Sequence, residues 1–279
     1  MITFGPGGNS NSWGNKKFPK DLPEYLKGFG LNGYEIECGR GVRLNEATVE
    51  LLPKLAEENG IYITLHAPYF ISLSSVEEKK RQNSVNYILE SAKAARSVGA
   101  KKIVVHSGSC SKMTRAEAVY LAKGTLKNAQ EALDEAGLSD IIICPETMGK
   151  INQLGTLDEV LELCTVDERF LPTVDFGHLN ARTLGEIKTR GDYAKMLDSI
   201  ENALGHERLS NMHIHFSKIE YTKGGEKRHL TFADTVYGPQ YEPLMEEIHK
   251  RGLSPSIICE SDGTQAEDAA AMKKYYDSL

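Results

Sequence analysis

A (β/α)₈ TIM barrel is the fold the sequence predicts, and three observations predict it. Short apolar runs that read as buried strands alternate with longer stretches of helical spacing along the whole of the 279 residues. Counting them gives eight strands and about eight helices in strict alternation, which implies parallel strands joined by right-handed crossovers. Most runs end in a His, Glu or Asp followed by a turn, and the C-terminal ends of the strands are where such barrels build active sites. One barrel takes about 250 residues, so 1–279 is expected to be a single domain. The clearest unit is Thr173-Val-Asp-Phe-Gly-His178. An apolar run from Phe170 to Val174 delivers Asp175 and, in the following turn, His178.

In order, Ile2 to Phe4 is a short strand, and a Gly-rich polar loop follows it. Asp21 to Phe29 has helical spacing, with Pro23 tolerated near the helix start. Tyr34 to Cys38 is the second strand, and Gly39 to Arg43 a basic loop after it. Asn45 caps a helix that Asn59-Gly60 stops. Ile61 to Leu65 is the third strand and delivers His66. Ser75 caps a long helix closed by Gly99. Lys102 to Val105, the fourth strand, delivers His106. Thr114 opens a helix running to Ala136. Asp140 to Cys144, the fifth, delivers Glu146. Thr156 caps a short helix, with Glu159 completing a capping box. After the sixth strand, Thr183 to Leu204 is mostly helical, interrupted near Gly191. Met212 to Phe216, the seventh, carries His213 and His215. Lys218 to Thr231 reads as a long charged loop containing His229. Pro239 to Arg251 is a helix. Ser256 to Cys259, the eighth strand, delivers Glu260, and a last helix runs from Ala266.

Composition narrows the function. Hydrophobic residues make up 40% and charged residues 26%, ordinary for a soluble enzyme. The net charge of −6 makes the chain no polycation, so any nucleic-acid contact must come from a local basic patch or bound cations. The five cysteines are odd in number, mostly within apolar runs, and form no Cys-x-x-Cys pattern. Reduced thiols in a cytoplasmic protein are the expectation. The start, Met-Ile-Thr-Phe-Gly, offers no basic leader and no long apolar segment, which argues against membrane insertion. No Gly-x-Gly-x-x-Gly turn supports a dinucleotide fold.

The strand ends collect His66, His106, Glu146, Asp175, His178, His213, His229 and Glu260. One histidine at a strand end usually means a structural hydrogen bond. A succession of them with carboxylates suggests metal, because imidazole and carboxylate are what zinc takes when thiolates are absent. One ion needs three or four such ligands, so this set can hold two or three. A carboxylate with two oxygens can bridge neighbouring ions, and two ions about 3.5–4 Å apart clamp a phosphoryl group. His215 lies on the same strand face as His213, as a ligand or an outer partner. Glu35 and Glu37 line the barrel mouth or are structural. His206 and His249 fall on helices and read as surface residues.

The stretches His66-Ala-Pro-Tyr-Phe-Ile-Ser-Leu73, Val105-His-Ser-Gly-Ser109, Pro145-Glu-Thr-Met-Gly149, Val174-Asp-Phe-Gly-His178, His213-Ile-His-Phe-Ser-Lys218 and Glu260 resemble, in order and spacing, the pattern of the endonuclease IV family. The resemblance covers essentially the whole chain. It implies a barrel with a trinuclear zinc site that cleaves DNA 5′ of abasic sites in base excision repair, using a hydroxide activated by several metals. It implies that His66, His106 and Glu146 hold a first zinc. Glu146 bridges to a second, completed by Asp175, His213 and Glu260. His178 and His229 bind a third. Glu146 and Glu260 are then the catalytic carboxylates. Tyr69 and Phe70 match a loop that probes the DNA minor groove, and Arg40 the residue that fills the gap left by a flipped nucleotide. Lys218 and Arg43 are expected on phosphates. Where the family's third zinc takes Asp-x-His, this chain has Lys227-Arg228-His229. Either Glu226 replaces the aspartate through a shifted loop, or Lys227 supplies positive charge instead. Two zinc ions are expected and a third is possible, with manganese or other divalent ions as alternatives. The expected partner is abasic double-stranded DNA, and the expected state a monomer. A related barrel using one metal in sugar isomerisation or epimerisation is the rival reading, with Glu146, Asp175, His213 and Glu260 as its ligands. A relative that binds abasic DNA without cutting it is a third.

Overall fold

The computed structural model describes residues 1–279. Its strands are β1 (Thr3–Pro6), β2 (Gly33–Glu37), β3 (Tyr62–His66), β4 (Lys102–His106), β5 (Ile142–Glu146), β6 (Thr173–Asp175), β7 (His213–Phe216), β8 (Lys218–Thr222), β9 (Gly225–Leu230) and β10 (Ser256–Cys259). Eight of them, all except β8 and β9, pair in parallel in the order β1-β10-β7-β6-β5-β4-β3-β2. The ring is nearly closed between β1 and β2, where Gly7 bridges Glu35. The Gly8 amide also donates to the Glu35 carbonyl at 3.0 Å. Glycine makes that approach possible, since a Cβ on Gly5 would stand 2.0 Å from the Gly33 carbonyl oxygen.

The helices are α1 (Leu22–Gly28), α2 (Glu46–Asn59), α3 (Glu78–Ser97), α4 (Arg115–Glu135), α5 (Leu157–Leu163), α6 (Phe176–Arg182), α7 (Arg190–Leu204), α8 (His206–Ser210), α9 (Glu242–Arg251) and α10 (Gln265–Tyr276). They lie outside the ring, as βαβ crossovers require. Three caps are those the sequence supplies, whereas Ser75 does not cap α3, which opens at Glu78 with no side-chain cap from Glu77. Asn45 accepts from the Thr48 amide at 2.8 Å, and Thr114/Glu117 and Thr156/Glu159 form full capping boxes. The apolar seam between ring and helices is fully buried, with Ile88 and Ala92 of α3, Ala122 and Leu126 of α4, and Ile103 and Val105 of β4 in it. No helix is long and apolar enough to cross a membrane.

Two stretches depart from expectation. Lys218 to Leu230 is an antiparallel hairpin rather than a loop. Its alternation is masked by charge, and Lys223-Gly224 form the turn before Gly225 opens β9. The helix expected from Thr183 to Leu204 begins only at Arg190, as α7, which runs through Gly191 unbroken, and a separate helix, α6, precedes Thr183. α6 starts inside the strand-end motif because the Asp175 carboxylate accepts from the His178 amide at 2.7 Å and caps it. α7 begins at Arg190, where the Asp192 carboxylate takes the Thr189 amide at 2.8 Å.

The inside of the ring is polar rather than filled by apolar layers. Glu35, Thr64, Glu146, Thr173, Asp175, His213, His215 and Ser256 are all buried there. At its lower end Lys102 is buried, with Nζ donating to the Asn211 carbonyl at 2.7 Å and to Ser256 Oγ at 3.0 Å. Burial pushes the Lys102 ammonium down from 10.5 to about 8, against the opposing pull of Cys144 and Glu35. Between those two values the unfolded chain binds more protons than the folded one, so this group makes stability rise with pH. The gain is on the order of 3 kcal/mol, complete near the unfolded pKa and absent below the folded one. Urea unfolding of wild type and Lys102→Met at the two ends of that window should show the wild type gaining about 3 kcal/mol on the variant. An unchanged difference would mean that Lys102 titrates alike in the folded and the unfolded chain.

Candidate metal centre

Parallel register sets the height of each side chain in the ring. His66, His106 and Glu146 are the last residues of β3, β4 and β5. Asp175 ends β6, and Glu260 directly follows β10. Inward-facing residues at these heights meet at one mouth. The metal-capable side chains there form three adjoining groups, each with donor atoms within 4.8 Å of one another: His66, His106 and Glu146; Glu146, Asp175, His215 and Glu260; and His178, Glu226 and His229.

In the first group the Nε2 atoms of His66 and His106 stand 3.4 and 3.3 Å from Glu146 Oε2. His66 Nδ1–H donates to the Ala67 carbonyl at 2.8 Å. That bond fixes the tautomer and leaves Nε2 facing the mouth, the usual arrangement behind a ligating imidazole. The His106 ring stacks on Tyr69 with centroids 5.1 Å apart. Glu146 also lies in the second group, with its Oε1 3.1 Å from His215 Nδ1. Glu260 Oε1 is 3.4 Å from the same nitrogen. In the third group His178 Nε2 is 3.6 Å from Glu226 Oε2. His229 is held by Ser217 Oγ at 2.9 Å from Nδ1.

His213, expected beside Asp175 and Glu260, is placed one step deeper. It pairs in register with Thr173, whereas His215 is level with Asp175. The sequence shows that both histidines face inward, but not which is nearer the mouth. Glu35 is the other member of that deeper layer, and its carboxylate lies against both imidazoles. Lys218, expected on a phosphate, is buried. Its ammonium donates to the carbonyls of Phe232 at 2.9 Å and Asp234 at 2.5 Å, tying the hairpin to the following loop.

Glu226 enters the third group through a bulge. Glu220 pairs with Arg228 but Tyr221 with Glu226, so Lys227 is the extra residue. The bulge turns Glu226 onto the inner side with His229. Lys227 and Arg228 face out and both bind Glu220, at 2.6 and 2.7 Å. The turn is pinned by the Glu226 amide on the Gly149 carbonyl at 3.1 Å and the Ile151 amide on the Gly224 carbonyl at 3.0 Å. Gly149 is needed there, because a Cβ on it would sit 2.6 Å from Glu226 Cβ and 2.9 Å from the His178 ring.

The charges fit cations. Glu146 Oε2 and Asp175 Oδ2 are buried oxygens without a hydrogen-bond partner, and such carboxylates persist when paired or coordinating. Burial alone would raise the Glu146 carboxyl, but the imidazoles of His178, His215 and His66 beside it hold it well below its ordinary range. Burial and the neighbouring carboxylates Glu146 and Asp175 push Glu260 up to about 8, against His215. Burial opposes protonation of His66, yet Glu146, Glu37 and Glu35 bring it up to about 10. Without an ion these groups therefore neutralise one another with shared protons, which a cation would displace.

Around this mouth, Tyr69 and Phe70 project on the β3–α3 loop, 52% and 50% exposed. Tyr69 Oη donates to Glu37 Oε2 at 3.1 Å. Arg40 and Arg43 line a cavity of about 520 Å³ that opens beside Tyr69, His229 and Glu260. Members of all three groups line a second cavity of about 440 Å³, with Lys150 and Gln153, while Asp175 and His215 lie behind it.

A barrel of this topology with its donors gathered at one mouth defines the class, and comparison with known proteins agrees. Residues 23–276 match the family described as xylose isomerase-like TIM barrel. The chain is 33% identical over 279 residues to the uncharacterized protein MJ0133 of Methanocaldococcus jannaschii, covering 100% of this chain and 98% of that one. It is 25% identical to the probable endonuclease 4 of Oceanobacillus iheyensis over 273 residues, 90% of this chain and 86% of the relative. Among solved structures, endonuclease IV from Thermus thermophilus superposes with a TM-score of 0.71 at 19% identity, over 99% of this chain and 100% of that one. A D-tagatose 3-epimerase-like protein superposes equally, with TM-score 0.71 at 20% identity over 99% of this chain and 97% of that one. The protein belongs to the xylose isomerase-like TIM barrel family.

Proposed function

We propose that this protein is a zinc-dependent phosphodiesterase of the endonuclease IV type, incising DNA 5′ of abasic sites. One observation carries the reading: three donor groups adjoin at one mouth, two of them joined through Glu146. A one-metal isomerase has no use for His66, His106, His178 and His229. The residues that would hold the ions are His66, His106 and Glu146; Glu146, Asp175, His215 and Glu260; and His178, Glu226 and His229. Ions held there would supply positive charge to a phosphodiester and its leaving oxygen and ease deprotonation of water. The chain's own part is to fix that geometry. Carbonyl and hydroxyl partners lock the imidazoles, Asp175 orients α6, and buried carboxylates accept positive charge.

DNA would meet this mouth along the exposed Tyr69–Phe70 loop, with Arg40 and Arg43 on phosphates in the adjoining cavity. A flipped abasic nucleotide is favoured because it has no base to unstack, a saving of a few kcal/mol. Binding to an abasic duplex should therefore weaken steeply with salt despite the negative net charge. Arg40→Ala and Arg43→Ala should each flatten the log–log salt slope by about 1. An affinity insensitive to salt would rule this surface out.

The experiment that tests the function is metal analysis of chelator-free protein, paired with incision of an abasic duplex. Two or more zinc ions per chain and a nick leaving a 3′-hydroxyl are expected. The epimerase reading has its own support, because Glu146, Asp175, His215 and Glu260 alone make a complete four-donor set. One bound ion, no nick, and interconversion of ketose epimers would establish it instead.

A further inference from the structure

A hydrogen-bonded spine runs down the inside of the barrel from the metal centre. His215 Nε2 is 2.7 Å from Glu35 Oε1, and His213 Nε2 is 3.0 Å from Glu35 Oε2. The two imidazole Nε2 atoms are 3.1 Å apart. Thr64 Oγ1 donates to Glu35 Oε2 at 2.7 Å. His213 Nδ1 meets Ser256 Oγ at 2.7 Å, and Ser256 Oγ accepts from Lys102 Nζ at 3.0 Å. Glu35, Thr64, His213 and His215 are all buried, so no water competes for these bonds.

Such a spine is an odd filling for a barrel, whose interior is ordinarily layered with branched apolar side chains. A buried carboxylate is also costly unless its oxygens are engaged. Four of the five groups that engage Glu35 or its partners lie below the mouth and cannot reach a substrate. The one that reaches the mouth is His215, and it has two faces. Its Nε2 is taken by Glu35. Its Nδ1 points at Glu146 and Glu260.

We infer that Glu35 is a positioning residue for the second metal. Its carboxylate takes the Nε2–H of His215, so that the Nδ1 lone pair faces the group of Glu146, Asp175 and Glu260. The distances of 3.0 and 2.7 Å from the Glu35 carboxylate to His213 and His215 are those of buried ion pairs, and Glu35 Oε1, which has no other hydrogen-bond partner, is free to take that of His215. The ring is held in one tautomer and one orientation, as a carboxylate behind a ligating histidine does elsewhere. Thr64 and His213 aim the carboxylate, and Ser256 and Lys102 steady His213 in turn. The spine thus explains why β2 carries a glutamate at a position facing the barrel axis. This inference rests on the metal-centre reading.

The test is a zinc titration with mass-spectrometric stoichiometry, followed by the visible spectrum of cobalt-substituted protein. Wild type, Glu35→Gln and Thr64→Val are compared, each checked for folding by circular dichroism. Glu35→Gln can still accept from His215 but loses the charge and must turn its amide toward His213 or Thr64. It should weaken one ion by about 10- to 100-fold and change the cobalt spectrum of that site, leaving the other ions bound. Thr64→Val keeps the carboxylate and loosens its aim, so it should weaken the same ion by a smaller factor. If wild type itself binds fewer than two ions, the metal-centre reading fails. If wild type binds them and Glu35→Gln matches it in affinity and spectrum, only the role of Glu35 fails. Uniform loss of all ions in a folded Glu35→Gln protein would also overturn it, since that is a general structural effect. Should Glu35→Gln not fold, Thr64→Val decides: selective weakening supports the role, and unchanged affinity overturns it.

Discussion

Glu146→Gln is expected to bind fewer metal ions than the wild type, by as many as two per chain, and to lose incision of abasic DNA by at least about a thousandfold. Glu146 is the one side chain that stands in two of the three donor groups at once. Its Oε2 faces His66 and His106, and its Oε1 faces His215 and His178. An amide keeps the shape but replaces one oxygen with NH₂, which cannot ligate and clashes with any cation. Both groups then lose their shared anion. The same change acts on the metal-free fold, since His66, His178 and His215 lose a buried counter-charge and must shed their protons. That costs about 3–5 kcal/mol where a buried pair is broken. The two effects separate by measurement. Calorimetry in chelator reads the fold alone, while stoichiometry and incision under saturating zinc read the site. Full turnover in a Glu146→Gln protein that still holds its ions would remove Glu146 from the mechanism.

What could be read in the chain beforehand follows from periodicity. Strand ends were legible because an apolar run of four or five residues between helical stretches allows few other interpretations. The ligand-type residues just past those runs were legible with them. Height inside the ring was not. His213 and His215 share a face and a chemistry and are separated by about 7 Å along the strand. Only the register with β6 shows that His215 is level with Asp175. Glu35 reads as a mouth or structural residue, but nothing local says that β2 aims it at the imidazoles of β7, across the ring. Lys218 shows the converse error. It reads as a charge in a polar loop, yet two backbone carbonyls take its ammonium, because the hairpin folds back over the end of β7. A hairpin of charged residues carries little apolar alternation, so its strands were hidden too.

Glu226→Ala should empty the third donor group while leaving the other two intact, and Lys227→Ala should leave all three as they are. The bulge at Lys227 decides between these residues. It puts Glu226 on the inner side with His178 and His229, and leaves Lys227 paired with Glu220 in solvent. Removing the Glu226 carboxylate leaves two imidazoles, too few to hold zinc firmly without help from water or substrate. The occupancy of one ion should fall and incision should drop by about 100-fold or more, the order seen when one charge-stabilising group is lost from an active site. Lys227→Ala removes only an exposed ion pair, which contributes little to stability. Gly149→Ala offers the same test by geometry. Its new Cβ would lie 2.6 Å from Glu226 Cβ, so the hairpin must move away and take the carboxylate with it. Ion counting and incision assays on the three variants then give a clear ordering. Glu226→Ala and Gly149→Ala should lose the third ion together, with Lys227→Ala unchanged. If Lys227→Ala were the variant that lost activity while Glu226→Ala kept both ion and turnover, the lysine would be the group acting on phosphate, and Glu226 would hold no metal.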